Sequence, residues 1–291
     1  MKLRGKKQGA FTIIELLTVM SIIVILLSLL VPALNRVRRY AMDLKQKAQL
    51  HGITTALEMF NNEMNGYPPS GALDTRGQNY CGAMKLCEAM LGWDLMGFHP
   101  RSVFNRDGTN MAGQPLYTTT NLTARKKPYL DFDGVTAERL ENIYSPSTPG
   151  FAAFGGGAAG TTNYVLCDVY KQERENAKCG MPILYYKANT SNSFHLFDAA
   201  GNEHPPTDPN NDAGNIYNYW DNQRLIALGK PGVTNKKHPM VDYKVFYKLT
   251  RNTKVTHFPK PYRADTFILI SAGFDGEYGT GDDIYNFDPR N

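Results

Sequence analysis

The chain has 291 residues, enough for an anchor helix plus one large or two small globular units. Its net charge of +5 is concentrated at the start. Lys2, Arg4, Lys6 and Lys7 account for most of it and leave a balance of about +1 on the remainder, too little to support nucleic-acid binding.

The first ten residues, MKLRGKKQGA, form a basic leader without an acid. An apolar run begins at Phe11, and Glu15 is the one charged residue between Lys7 and Arg36. A run of this length predicts a transmembrane helix over residues 11–35, with its N-terminus held in the cytoplasm and the rest exported. A carboxylate inside hydrocarbon costs several kcal/mol unless it is paired, which makes Glu15 a functional residue by default. The small residues Gly9 and Ala10 precede the apolar run, whereas signal peptidase cuts after one. Cleavage there would remove the leader, keep the helix, and leave Phe11 as a new N-terminal amine.

The string GAFTIIELLTVM resembles the class III signal of type IV pilins and type II secretion pseudopilins, which is a basic leader, a Gly, then Phe-Thr-Leu-Ile-Glu-Leu. The resemblance implies that prepilin peptidase cuts before Phe11 and N-methylates it. Phe11, Thr12, Glu15 and Leu16 then become mature positions one, two, five and six. Pro32 falls at mature position 22, where many pilins carry a helix-bending proline. Here Ala10 precedes the cut, and the usual Gly is one place earlier at Gly9. The pattern also carries a mechanism. A neighbouring subunit's Glu15 can neutralise the Phe11 amine, and a buried ion pair split between subunits sets the register of a fibre.

Helical spacing continues beyond the membrane-length run, with no Pro from Val37 to Met64. Val37, Tyr40, Ala41, Leu44 and Ala48 form one apolar stripe; Leu50, Ile53, Leu57, Phe60 and Met64 form another, nearly opposite. Such a helix would pack on neighbouring helices first and on its own globular domain second. From Phe11 to Asn65 it would be roughly 80 Å long, with a bend or local melting at Pro32. Asn65-Gly66 followed by Tyr67-Pro68-Pro69 reads as a stop. ALEMFNNEMNGYPPSG also resembles the helix end of major pseudopilins, where an aromatic, a Gly and Tyr-Pro recur.

Residues 66–291 form the predicted globular domain, with 71–180 as a long variable insertion holding short helices near Ala83–Leu91 and Ala137–Asn142. Cys81, Cys87, Cys167 and Cys179 are an even set. In an oxidising periplasm they imply two disulfides, with three pairings open, and proximity favours Cys81–Cys87 and Cys167–Cys179. A zinc site lacks C-x-x-C, and the histidines are scattered. Gly155, Gly157 and Gly160 match G-x-G-x-x-G formally, but no strand precedes them, so a loop is expected rather than a nucleotide site.

Strands are expected at Ile183–Lys187, Val241–Leu249 and Thr266–Ser271, with a polar stretch over 199–239. Asp208, Asn210 and Asp212 have EF-like spacing, yet Ala213 replaces the glycine of the sixth place and Tyr219 the terminal Glu. In the last segment, ILISAGFDGEYGTGDDIYNFD, an apolar strand leads into a loop of acids and glycines. Clustered oxygens on a flexible loop suit Ca²⁺. The run resembles the calcium-binding loop of major pseudopilins, which ends in an Asp-Ile pair as Asp283-Ile284 does. The resemblance implies Asp275, Asp282 and Asp283 as side-chain ligands, with the Ala272 carbonyl and Thr280 completing the shell.

The expected fold class is α+β, a long N-terminal helix packed on a small antiparallel sheet with an irregular insertion. The expected function is structural: a pilin or pseudopilin subunit in the inner membrane with a periplasmic globular domain. Its partners would be prepilin peptidase, other pilin-like subunits and the inner-membrane assembly platform. A second reading is a recognition module for glycan or exported substrate at a fibre tip, resting on Trp93, Tyr117, Tyr217, Tyr219 and Trp220. No Ser/His/Asp order, phosphate loop or paired-carboxylate setting stands out, so an enzyme is not expected.

Overall fold

A computed structural model describes residues 12–155, 163–198, 200–206 and 214–289. It is an α+β protein of two units, divided between Met42 and Asp43. Helix α1 spans Ile13–Met64 and runs unbroken through Pro32, so the expected melting there does not occur. In the first unit every described residue up to Ala41 is exposed, including the apolar side chains from Ile13 to Val37.

In the second unit, Leu50, Ile53, Leu57 and Phe60 of α1 are buried, and they are the second of the two apolar stripes. Val37, Tyr40 and Leu44 of the first stripe remain exposed. Helix α1 stops where Asn65 takes φ +55°. Asparagine tolerates this left-handed position, so Asn65 rather than Gly66 makes the turn.

Helix α2, Gly82–Leu91, is buried along its whole length and lies against strands β2, Tyr164–Cys167, and β5, Leu184–Lys187. A Cβ at Gly82 would sit 2.2 Å from the Tyr185 carbonyl, so this approach requires glycine. Asn222 ties the contact: its Oδ1 accepts from Ala83 N–H at 2.9 Å and its Nδ2 donates to Tyr185 O at 2.8 Å. Two charged residues of α2 lie inside. Lys85 donates to the Gly71 and Leu73 carbonyls, and Glu88 accepts from Tyr80, Ser102 and Tyr117 hydroxyls.

The described strands form small antiparallel sheets. β1, Thr136–Arg139, pairs with β2; β3, Gln172–Glu173, with β4, Lys178–Cys179; and β6, Phe267–Ser271, lies between β5 and β7, Ile284–Tyr285. The helix expected at Ala137–Asn142 is half strand: β1 pairs through Arg139 before the single turn α3, Leu140–Ile143. Helix α4 covers Trp220–Ile226. The strand expected at Val241–Leu249 is instead a 3-10 turn, Pro239–Val241, followed by helix α5, Tyr243–Thr250. Asp242 decides this. Its Oδ1 caps α5 by accepting from Lys244 N–H at 3.0 Å, and the buried positions become Phe246, Tyr247 and Thr250, which is helical spacing.

Candidate functional site

Two regions carry the sequence-derived candidates. The first is the start of α1, where Thr12 and Glu15 form a reciprocal cap. Glu15 N–H donates to Thr12 Oγ1 at 3.3 Å, and Glu15 Oε2 accepts from Thr12 N–H at 2.9 Å and from its hydroxyl at 2.7 Å. This is the T-x-x-E capping box, and it satisfies backbone donors that hydrocarbon would leave unpaired. Its sequence signature stands at residues 12–15, so Thr12 is a functional residue legible in the chain that the reading above left without a role. Both side-chain bonds fall on one carboxylate oxygen. Further along, the hydroxyls of Thr18, Ser21 and Ser28 donate back to carbonyls three or four residues earlier, which hides their polarity within the helix. Pro32 is exposed within α1. Gly9, Ala10 and Phe11 lie outside the described residues.

The second region is the loop between β6 and β7. Gly273 has φ +65°, and a Cβ there would meet the Asp282 carbonyl at 2.2 Å, which closes the loop tightly. Asp282 Oδ2 accepts from Asp275 N–H at 2.9 Å, and its Oδ1 accepts from the Thr280 hydroxyl at 2.6 Å. The Asp275 and Asp282 carboxyls also touch. Burial, reinforced by the Asp282 charge, pushes Asp275 above the usual carboxylate range. Burial acts the same way on Asp282, but the Thr280 hydroxyl and the Asp275 bonds outweigh it and hold Asp282 down. The two carboxyls thus titrate apart, Asp275 upward and Asp282 downward.

Asp283 Oδ2 accepts from Gly279 N–H at 2.7 Å and the Tyr285 hydroxyl at 3.0 Å, and its Oδ1 lies 3.5 Å from the Thr280 hydroxyl. Burial pushes its carboxyl up to about 7. Ala272 is fully buried at the foot of the loop. Glu277 is neutralised by Lys230 at 3.0 Å and Lys236 at 3.2 Å. Tyr278 N–H donates to His238 Nδ1 at 3.3 Å, and its carbonyl accepts from Met240 N–H at 3.0 Å. Lys230, Lys236 and His238 thus clasp a loop some forty residues later in the chain, a role no local pattern announces. The structure brings Asp275, Thr280 and Asp282 together, with Asp283 beside Thr280 and bonded through its other oxygen to Gly279 N–H and the Tyr285 hydroxyl. Among the described residues, no group of three or more His, Cys, Asp or Glu is arranged to hold a metal ion. A cation would therefore depend on two carboxylates, a hydroxyl and backbone carbonyls, a donor set that fits Ca²⁺.

The remaining candidates separate. All four cysteines are buried thiols. Cys81 immediately precedes α2 and Cys87 lies within it, six residues on, a rise of about 9 Å along the axis. A disulfide needs Cα atoms within about 7 Å, so the favoured Cys81–Cys87 pairing would require α2 to unwind. Cys167 and Cys179 do meet. The hydrogen bond between them pushes the Cys167 thiol up and holds Cys179 down.

Of the aromatic residues of the recognition reading, Tyr217 and Tyr219 are buried, whereas Trp93, Tyr117 and Trp220 are half-buried with their polar atoms bonded within the protein. Trp93 and Trp220 donate to the carbonyls of Arg106 and Pro206, Tyr117 bonds Glu88, and Tyr217 and Tyr219 are buried on the Arg263 and Val241 carbonyls. The exposed rings of the second unit include Phe194, Phe197 and Phe258. Gly155 ends a 3-10 turn at φ +72°, while Gly157, Gly160, Asp208, Asn210, Asp212 and Ala213 lie outside the described residues.

Residues 5–31 match the family model of the prokaryotic N-terminal methylation motif. The match spans the Gly9-Ala10-Phe11 junction, the Thr12–Glu15 cap and most of the apolar run. No curated protein and no solved structure matches the chain significantly. The motif and the α+β architecture together support a type IV pilin- or pseudopilin-like protein. The motif marks a chain processed by prepilin peptidase, and together with the apolar N-terminal helix it points to a membrane-anchored protein of structural, pilin-type character that assembles with other pilin-type subunits.

Proposed function

We propose that prepilin peptidase cuts this chain between Ala10 and Phe11 and methylates the Phe11 amine. The mature subunit then assembles through α1 into a type II secretion pseudopilus or a type IV pilus-like fibre. The observation that carries this reading is the start of α1, where a capped carboxylate heads a fully exposed apolar helix inside the matched motif. An exposed apolar stripe continues along α1 through Val37, Tyr40 and Leu44 among the described residues. A neighbouring subunit's helix fits it.

The subunit sits in the inner membrane with its leader cytoplasmic and its globular domain periplasmic, delivered there to the assembly platform. Lys2, Arg4, Lys6 and Lys7 before the run are nearly balanced by Arg36, Arg38 and Arg39 after it. Orientation therefore follows from the processing signal more than from charge bias.

The acidic loop binds Ca²⁺ through Asp275 and Asp282, with Thr280 and the Ala272 carbonyl contributing. The cation supplies positive charge between two carboxylates that otherwise repel one another. Asp283 shapes the loop from beneath.

The test of processing is the mass and N-terminal sequence of membrane-extracted protein. Loss of residues 1–10 with one added methyl is expected; retention of Met1 in cells that hold the peptidase would sink the assignment.

A further inference from the structure

The docked face of α1 changes character along its length. At about 100° per residue, Asp43, Gln46 and Gln49 share about 120° of the circumference with the buried stripe from Leu50 to Phe60. That stripe is apolar, whereas the two turns before it dock through side-chain hydrogen bonds. Gln46 and Gln49 are buried, and all three residues reach one short segment, residues 167–172. Gln49 Nε2 donates to the Cys167 carbonyl at 2.9 Å, Gln46 Oε1 accepts from Val169 N–H at 2.9 Å, and Asp43 Oδ1 accepts from the Tyr170 hydroxyl at 2.5 Å.

The other contacts of this segment lead to the acidic loop. Asp168 Oδ2 accepts from the hydroxyl of Ser271, the last residue of β6, at 3.0 Å. Gln172 Nε2 donates to the Phe274 carbonyl at 3.1 Å, and the Tyr170 ring meets Phe274 edge-on at 6.3 Å. Asp168 Oδ1 accepts from Tyr170 N–H at 3.2 Å, which ties the residue holding β6 to the residue holding Asp43. The seam with α1 is also the part of that interface most easily opened. Water largely replaces a hydrogen bond that is lost, but it does not replace apolar burial. Gln46 Nε2 and Gln49 Oε1 are buried without a hydrogen-bond partner among the described residues, a cost that release recovers.

We propose that residues 167–172 are a strap that carries order from the acidic loop to α1, so that a cation bound at the loop tightens Asp43–Gln49 onto the domain. The strap rests on the Ca²⁺ reading of the loop for its input. Its output is Leu44, exposed on the far side of the same two turns, in the stripe that a neighbouring subunit's helix meets.

The experiment is hydrogen exchange of the full chain in detergent, read by mass spectrometry over residues 43–49, 53–60 and 272–283, in Ca²⁺ and in chelator. In the wild type, Ca²⁺ should slow exchange several-fold in the loop and over 43–49, and leave 53–60 unchanged. Y170F, which cuts the bond to Asp43, and Q172A/S271A, which cuts the bonds to the loop side, should keep the loop's response and lose most of that at 43–49. Unchanged exchange over 53–60 shows that each variant has kept its core. A wild type whose loop responds while 43–49 does not, or an undiminished response at 43–49 in both variants, overturns the strap. Silence of both segments to Ca²⁺ would instead defeat the cation reading. The strap is then decided in chelator, where Q172A/S271A should speed exchange over 43–49 several-fold, and exchange equal to wild type overturns it.

Discussion

The cap at Glu15 is compatible with the proposed assembly role, because the bonds that cap α1 occupy one carboxylate oxygen while the charge belongs to the whole group. The two roles separate by substitution. Thr12→Ala removes one half of the cap, worth about 1 kcal/mol in ordinary helices, and leaves the charge. Glu15→Gln keeps the reach-back, since glutamine serves in capping boxes as glutamate does, and removes the charge. If pairing with a neighbour's Phe11 amine drives assembly, Thr12→Ala should form fibres and Glu15→Gln should be inserted and cleaved but form few or none. Wild-type fibre yield from Glu15→Gln, measured after shearing, would leave Glu15 as a cap alone.

The cysteines follow the same local logic. Cys167 and Cys179 are in contact, whereas the helix separates Cys81 from Cys87. Alkylation of oxidised, denatured protein should therefore modify Cys81 and Cys87 and spare the other pair; protection of Cys81 and Cys87 would mean that α2 is not the helix described.

The loop between β6 and β7 is an element held together by charge. Ca²⁺ bound to Asp275 and Asp282 in the folded state alone adds RT ln(1 + [L]/Kd), about 2.7 kcal/mol at a hundredfold excess over Kd. The globular domain should melt higher in Ca²⁺ than in chelator, with Mg²⁺ a weaker substitute. Asp282→Asn should remove most of that difference. Identical melting with and without Ca²⁺ would make the loop a plain acidic turn.

Asp283 should act on pH instead. Its folded carboxyl titrates at about 7 against an ordinary value of 3.8, so the unfolded chain ionises first. Stability is full below that lower value, falls as pH rises through the folded one, and then levels. Buried Asp168, also near 7, adds to this slope, and Asp283→Asn should reduce it without abolishing it. His238 acts oppositely: burial brings it down to about 4, so its contribution is present above pH 6.5 and is lost as pH falls through about 4.

At the scale of the whole molecule, the chain divides between a first unit ending at Met42 and a second beginning at Asp43. The second unit contains its own core, including Leu50, Ile53, Leu57 and Phe60 of α1. A fragment of residues 43–291 should therefore be soluble without detergent and unfold in one cooperative transition. Starting the fragment at residue 65 should abolish folding. Truncating one such side chain costs about 2–5 kcal/mol, and domains hold only about 5–15 kcal/mol in total. A fragment from residue 65 with the same melting curve would show that α1 is dispensable to that core.

The sequence by itself determined the features set by local order along the chain. The leader, the membrane-length run, the T-x-x-E cap and the helical spacing to Met64 are contiguous patterns, and each reports on its own neighbours. So do β5 and β6, whose aromatic and β-branched residues sit in a buried sheet. Val241–Leu249 looked equally like a strand, but the Asp242 cap and the burial of Phe246 and Tyr247 made it α5, because burial is set by what lies opposite. Tertiary structure decided that Asp282 bonds the Asp275 backbone and the Thr280 hydroxyl while Asp283 bonds Gly279 N–H and the Tyr285 hydroxyl. It likewise chose which cysteines meet, and brought Lys230, Lys236 and His238 onto the acidic loop. These contacts join residues far apart in sequence, and their geometry exists only after the chain has folded.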